Sequence, residues 1–113
     1  MNKVLSKATE HYKAQITGGM KSIDVPEWEA KIYYKPVMTL ADQAKILEYH
    51  NKGNLVDALI ETLITRAKTE DGKQMFQQGQ RSILKNEVDP EIITRVVTEM
   101  NAGYTKAEAE LGN

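Results

Sequence analysis

The chain has 113 residues, of which 41% are hydrophobic and 27% charged, and these values are typical of one globular domain. Its net charge of −1 provides no overall field that would favour nucleic acid or an anionic membrane as a partner. Because the chain contains no cysteine, disulfides, thiolate nucleophiles and cysteine-based zinc sites are excluded. No apolar run approaches the roughly 20 residues that cross a bilayer, and the N-terminus lacks the apolar centre of a signal peptide, so we expect a soluble, unexported protein.

An N-terminal helix is predicted over residues 3–17, because apolar residues recur there at helical spacing. These residues are Val4, Leu5, Ala8, Tyr12 and Ile16. The Gly18-Gly19 pair that follows favours the end of this helix. A β-hairpin is predicted next, over residues 21–37, because β-branched and aromatic residues alternate with polar ones. Pro26 has no N–H to donate, so it closes the first strand or lies on a sheet edge.

Two helices are predicted over residues 40–52 and 54–69. Thr39 and Asp42 form a start similar to a capping box, and Gly53 separates the two helices. The second helix carries two adjacent apolar rows, which give it a face wider than a surface helix needs. The rows are Leu55, Leu59 and Leu63, and Val56, Ile60, Ile64 and Ala67.

The C-terminal part contains a turn at Asp71-Gly72 and two further helices, over residues 76–86 and 90–102. Asp89 is the expected N-cap of the last helix, and Gly103 follows its end. A polar tail, residues 104–113, completes the chain. The sequence therefore predicts one compact helical domain over residues 1–113, mostly α with a small N-terminal β-hairpin, which is an α+β fold.

Residues that could carry catalysis or bind a metal are sparse. His11 and His50 are far apart in sequence, and neither has a second ligand at helical spacing on a shared face. Glu27 and Glu29 are close in sequence, but paired carboxylates act as acid and base only in a desolvated cleft. No phosphate-binding glycine motif occurs. We therefore expect no enzyme activity, no metal and no cofactor.

Apolar surface is the remaining candidate for function. A helix-turn-helix over residues 39–68 fits the element lengths, but its second helix presents leucine, valine and isoleucine where base-reading polar residues are needed. Wide apolar faces on the helices after Asn54 and Asp89 are either core or buried against another chain. The second alternative indicates a protein that binds a partner or itself.

A predicted strand ends in Val-Pro-Glu-Trp at residues 25–28, and it is followed by a second strand and by a helix start at Met38-Thr39-Leu40. In these features the sequence resembles a known family, the tail assembly chaperones of long-tailed bacteriophages. The later Asp71-Gly72 turn, the Met75-Phe76 pair and Asp89 fit the same pattern, so the resemblance spans roughly residues 20–102. The family commonly has glycines after the tryptophan, whereas Glu29 and Ala30 stand here.

The resemblance implies a non-catalytic assembly factor. Such chaperones coat the aggregation-prone tape measure protein in the host cytoplasm, help to recruit tail tube subunits, and are absent from the mature virion. A homo-oligomer is also expected. Chaperones of this type are often made in two lengths through a ribosomal frameshift, and Leu111-Gly112-Asn113 can be encoded by a slippery run such as G-GGA-AAC.

The predicted partner-binding residues lie on the hairpin and on the helix after Asn54. They are Val25, Pro26, Trp28, Tyr33, Tyr34, Leu55, Leu59 and Leu63. In this hypothesis the hairpin edge pairs with a neighbouring chain while its aromatic residues anchor the contact. The alternative is that Trp28 and Tyr34 only fix the hairpin to the helices.

Two other functions are compatible with the sequence. A structural component of the phage particle, such as a head–tail connector or a minor tail protein, cannot be distinguished from a chaperone by its composition. A small DNA-binding regulator would require salt-dependent DNA binding, which the net charge of −1 does not favour.

Overall fold

The computed structural model describes the backbone of residues 2–111 and the side chains of residues 2–102. It contains a two-stranded antiparallel hairpin and is otherwise mostly helical, which confirms the expected α+β fold class. The elements are α1 (Lys3–Thr17), β1 (Lys21–Val25), β2 (Ala30–Tyr34), α2 (Leu40–Asn51), α3 (Leu55–Arg66), α4 (Arg81–Asn86) and α5 (Pro90–Leu111), with short 3-10 helices at Pro26–Trp28 and Gln78–Gln80.

The hairpin places its apolar residues on one face. β1 and β2 pair with Ile23 opposite Ile32 and Val25 opposite Ala30, and the buried positions alternate with exposed ones along both strands. Pro26 starts the 3-10 helix that connects the strands. Glu29 then takes a left-handed conformation with φ 50° and donates its N–H to the Pro26 carbonyl, so it occupies a backbone position that favours glycine.

The helix predicted over residues 54–69 ends three residues early, at Arg66. Ala67 becomes extended, and Lys68 exchanges backbone hydrogen bonds of 3.0 and 2.7 Å with Tyr33. Lys68 also pairs with Gln74 on its other side. This isolated bridge therefore pairs the β2 edge of the hairpin at Tyr33.

Three further boundaries differ from the prediction. The hairpin predicted over residues 21–37 ends at Tyr34, where the pairing with Lys21 ends. The segment predicted as a helix over 76–86 begins instead with the 3-10 turn at Gln78–Gln80, because Gln77 and Gln80 cap each other reciprocally, and only then continues as α4. The last helix does not end at residue 102 but continues to Leu111. A glycine inside a helix costs only about 1 kcal/mol, and the alanine, glutamate, lysine and leucine residues after Gly103 favour continuation. Residues 112–113 of the predicted tail lie outside the described part.

The core lies where α3 crosses the inner face of the hairpin and packs on α5. Its fully buried side chains come from β1, β2, α3 and α5. The largest are Ile32, Leu63, Ile64, Met100, Val25 and Val96. α2 packs on α3 but buries only Ile46, and α1 buries no residue at all. Within the described residues, no helix combines the length and apolar character that crossing a membrane requires.

Candidate partner-binding surface

The eight predicted partner-binding residues fall into three groups. Val25, Tyr34 and Leu63 are buried in the core. Trp28, Tyr33 and Leu59 are half-buried, whereas Pro26 and Leu55 are exposed. The three core residues correct the prediction, because a side chain that is enclosed by its own domain has no surface left for another protein.

Tyr34 illustrates why the prediction was wrong for the core residues. The Arg66 guanidinium lies 5.2 Å from the centre of its ring, and burial raises the pKa of the Tyr34 hydroxyl. Because side chains alternate between the two faces of β2, every second one points into the core. Tyr34 is one of these and fixes the hairpin to α3, which is the alternative role stated above for Trp28 and Tyr34. Sequence alternation alone does not tell which of two aromatic neighbours, Tyr33 or Tyr34, faces the core.

Trp28 has a different position, at the rim of an apolar depression. Its ring contacts Phe76 edge-on, with the ring centroids 6.3 Å apart and the planes at 81°. The depression has a volume of about 340 Å³. Its walls are Trp28, Ala30, Met75, Phe76, Leu84 and Val88.

A second apolar depression continues the first across α4. It shares Leu84 and Val88 with the first and extends to α3 and α5. Its other apolar walls include Val56, Leu59, Ile60 and Ile93. Together the two depressions form the apolar groove.

Most residues of the apolar groove were not among the predicted partner-binding residues. Only Trp28 and Leu59 belong to both sets. The sequence singled out the Met75-Phe76 pair, because the pair belongs to the family resemblance. Nothing in the sequence pointed to Leu84 and Val88 except that they are apolar. Their place in the groove depends on how α4 packs between α3 and the hairpin connection, which sequence periodicity does not specify.

The charged residues beside the groove are of two kinds. Arg81 and Lys85 are engaged in ion pairs with Asp57 and Glu61. Glu29, Glu87 and Glu91 are exposed, and none of the three forms an ion pair within the described part of the chain. Each of these glutamates is next in sequence to a residue that lines a depression, whereas Lys85 is the one charged side chain among the lining residues themselves.

One surface ion pair ties the Val-Pro-Glu-Trp segment to α5. Arg95 donates two hydrogen bonds to the Glu27 carboxylate, at 2.9 and 2.7 Å, across 68 positions of sequence. This bidentate contact lowers the pKa of Glu27 from 4.5 to about 2.

The depressed pKa predicts a pH-dependent contribution to stability. Because the folded-state pKa is below the unfolded one, the stabilisation is complete above about pH 4.5 and is lost as the pH falls towards 2. We expect the stability difference between the natural chain and Glu27→Gln, measured by urea unfolding, to shrink over this range. A difference that stays constant from pH 6 to pH 2.5 would show that the carboxylate charge contributes nothing.

The polar side chains of the described residues are the other place where a site could lie. Among them, no three His, Asp or Glu side chains gather into a group that could hold a metal ion, and every buried side-chain polar atom has a hydrogen-bond partner. His11 and His50 are both exposed. The apolar groove is therefore the surface with the clearest potential for function.

The chain matches no protein-family model, no curated protein and no solved structure. The functional proposal therefore depends on the residues of this chain and on the apolar groove.

Proposed function

We propose that this protein is a tail assembly chaperone of a long-tailed bacteriophage, a non-catalytic factor that coats the tape measure protein and helps to recruit tail tube subunits. The observation that carries the proposal is the apolar groove. An amphipathic helix buries its apolar face when it lies in such a groove, and the tape measure protein is a long helical chain with apolar stripes that aggregates when it is left uncovered.

The family resemblance and the groove share Trp28 and the Met75-Phe76 pair. In the Val-Pro-Glu-Trp segment, Val25 is core, Pro26 starts the connecting turn and Glu27 binds Arg95. These three features fix the backbone that places Trp28 at the rim of the groove. These contacts give a physical reason why the four residues of the segment occur together in a protein that binds a partner through the groove.

Binding many copies to one long partner strengthens weak individual contacts. A single groove of this size supports only a modest affinity, but neighbouring copies on one tape measure chain act at high effective concentration. The same reasoning predicts a homo-oligomer. The proposed place of action is the host cytoplasm during assembly, and the mature virion would not contain the protein.

Contact with the tail tube protein is the second part of the proposed function. In the family this contact is often made by a longer, frameshifted product, and the three C-terminal residues allow a slippery run in the gene. Codons for Leu111-Gly112-Asn113 that break the run would exclude a frameshift at this position.

Coexpression with the tape measure protein tests the proposed function. We expect the purified chain to keep the tape measure protein, encoded nearby in the same genome, in the soluble fraction, and light scattering to show a complex of many copies. Trp28→Ala should reduce the soluble yield. Leu40→Ala, which removes an exposed leucine outside the groove, is the matched control and should not.

Two outcomes would contradict the proposal. One is a tape measure protein that stays insoluble in the presence of the natural chain. The other is a Trp28→Ala protein that unfolds at the same temperature as the natural chain and still solubilises the tape measure protein. Stoichiometric amounts of the chain in purified virions would instead indicate a structural component of the particle.

A further inference from the structure

A basic pocket, separate from the apolar groove, lies where α1, α2 and α3 meet the end of β2. It has a volume of about 100 Å³, which is several times the space that one water molecule needs. Three cationic residues line it, namely Lys35, Arg66 and Lys68, together with one acidic residue, Asp42. Three positive charges and one negative charge give the lining a net charge of +2, which favours an anion in the pocket.

The two lysines of the basic pocket have no anionic partner within the described part of the chain. Neither Lys35 nor Lys68 forms an ion pair there, although Asp42 lines the same pocket. Lys68 is half-buried. Because like charges around one small cavity repel each other, an anion that binds between them stabilises all of them.

The fold holds the backbone of these cations in place. Arg66 is buried, and its Nη2 donates to the Lys35 carbonyl at 2.8 Å. Its Nη1 donates to the Met100 carbonyl, also at 2.8 Å. Lys68 exchanges two backbone hydrogen bonds with Tyr33. The positive charges are therefore brought together by the protein itself, and binding an anion among them requires little reorganisation.

Two hydroxyl groups in the lining add uncharged donors. Tyr12 of α1 is half-buried, and its hydroxyl has no hydrogen-bond partner among the described residues. The Thr39 hydroxyl accepts from the Asp42 backbone N–H at 3.2 Å. A hydroxyl that accepts one hydrogen bond still has its own proton to donate. The pocket therefore combines charged and neutral donors around one cavity.

We propose that the basic pocket binds a phosphate group, either as the free ion or as the phosphomonoester of a small molecule. A doubly ionised phosphate has only acceptor oxygens and two negative charges, which match the donors and the net charge of the lining. The ammonium groups of Lys35 and Lys68 bind its oxygens, while Arg66 stays on its two carbonyls and contributes its charge. The pocket shares no residue with the apolar groove, so the proposal is independent of the proposed chaperone function.

Calorimetric titration with sodium phosphate at neutral pH tests this proposal, with chloride added to keep the ionic strength constant. We expect saturable binding to the natural chain. Lys35→Gln and Lys68→Gln should each raise the dissociation constant at least about tenfold, because an ionic hydrogen bond contributes at least the roughly 1.4 kcal/mol that corresponds to a factor of ten. Lys31→Gln changes the net charge equally, but Lys31 lies outside the pocket beside Asp24, so this control should leave the constant unchanged.

Asp42→Asn should act in the opposite direction. It removes the acidic group from the lining, so phosphate should bind severalfold more tightly. Thr39 still accepts from the backbone N–H of residue 42, so the start of α2 should persist, and circular dichroism verifies that every variant is folded. A natural chain without saturable phosphate binding would overturn the proposal, as would equal dissociation constants for Lys68→Gln and Lys31→Gln.

A second titration, with glycerol phosphate, distinguishes the two sources of the phosphate group. Tighter binding of the ester indicates a phosphorylated small molecule, whereas tighter binding of inorganic phosphate indicates the free ion. In both cases we expect slower amide hydrogen exchange in α1, because this helix buries no residue and reaches the pocket through Tyr12. Unchanged exchange in α1 at saturating phosphate would place the bound ion outside the basic pocket and contradict the proposal.

Discussion

Replacing Leu63 with alanine is expected to lower the free energy of unfolding by about 3 kcal/mol. Leu63 is 0% exposed and lies in the cluster where α3 meets the hairpin and α5. The substitution removes the transfer energy of the deleted carbons and leaves a cavity that the rigid surroundings fill only in part. For a domain of this size, a loss of this magnitude lowers the melting temperature by roughly 10–20 °C.

Leu55→Ala is the matched control for this prediction. Leu55 lies on the same helix and in the same leucine row, two turns earlier, but it is 60% exposed. We expect its replacement to change the unfolding free energy by no more than about 0.5 kcal/mol. Urea unfolding of the three proteins measures both values. A cost below about 1 kcal/mol for Leu63→Ala would contradict its place in the core and return it to the candidate partner surface.

This pair of leucines shows what the sequence could predict about the fold. The spacing of apolar residues predicted α1, α2, α3, α5 and the hairpin, because each of these elements repeats its own apolar spacing over several residues. Caps at Thr39 and Asn2 hold helix starts close to the expected positions. The helix after Asn54 was expected to be broadly apolar, and its C-terminal half is indeed almost entirely buried.

Features that depend on distant contacts could not be predicted in the same way. The early end of α3 results from the pairing of Lys68 with Tyr33, which are 35 positions apart. The apolar groove likewise depends on how α4 packs beside Trp28 and Val88. Leu55 and Leu63 occupy the same periodic row, and only the tertiary fold decides that one is exposed and the other enclosed. For this reason the predicted partner-binding residues include both core and surface positions.

Replacing Arg81 with alanine is expected to cost about 3 kcal/mol, because it isolates a buried carboxylate. Glu61 lies on α3 with only 5% of its side chain exposed, and Arg81 Nη1 donates to its Oε1 at 3.0 Å. The other donors to Glu61 are the neutral Gln78 amide and the Thr65 hydroxyl. Without the guanidinium, a negative charge remains in a poorly solvated position with only neutral partners.

Two comparisons separate this effect from a general loss of surface charge. Lys85→Ala removes an exposed ion pair with Asp57, at 3.1 Å on the same helix α4, and should cost less than about 1 kcal/mol. The double variant Glu61→Leu, Arg81→Met removes the carboxylate together with its partner. It should recover most of the stability that Arg81→Ala loses, because two apolar side chains of similar volume leave no buried charge. If the double variant is as unstable as Arg81→Ala, packing of the arginine stem rather than the Glu61 charge accounts for the loss.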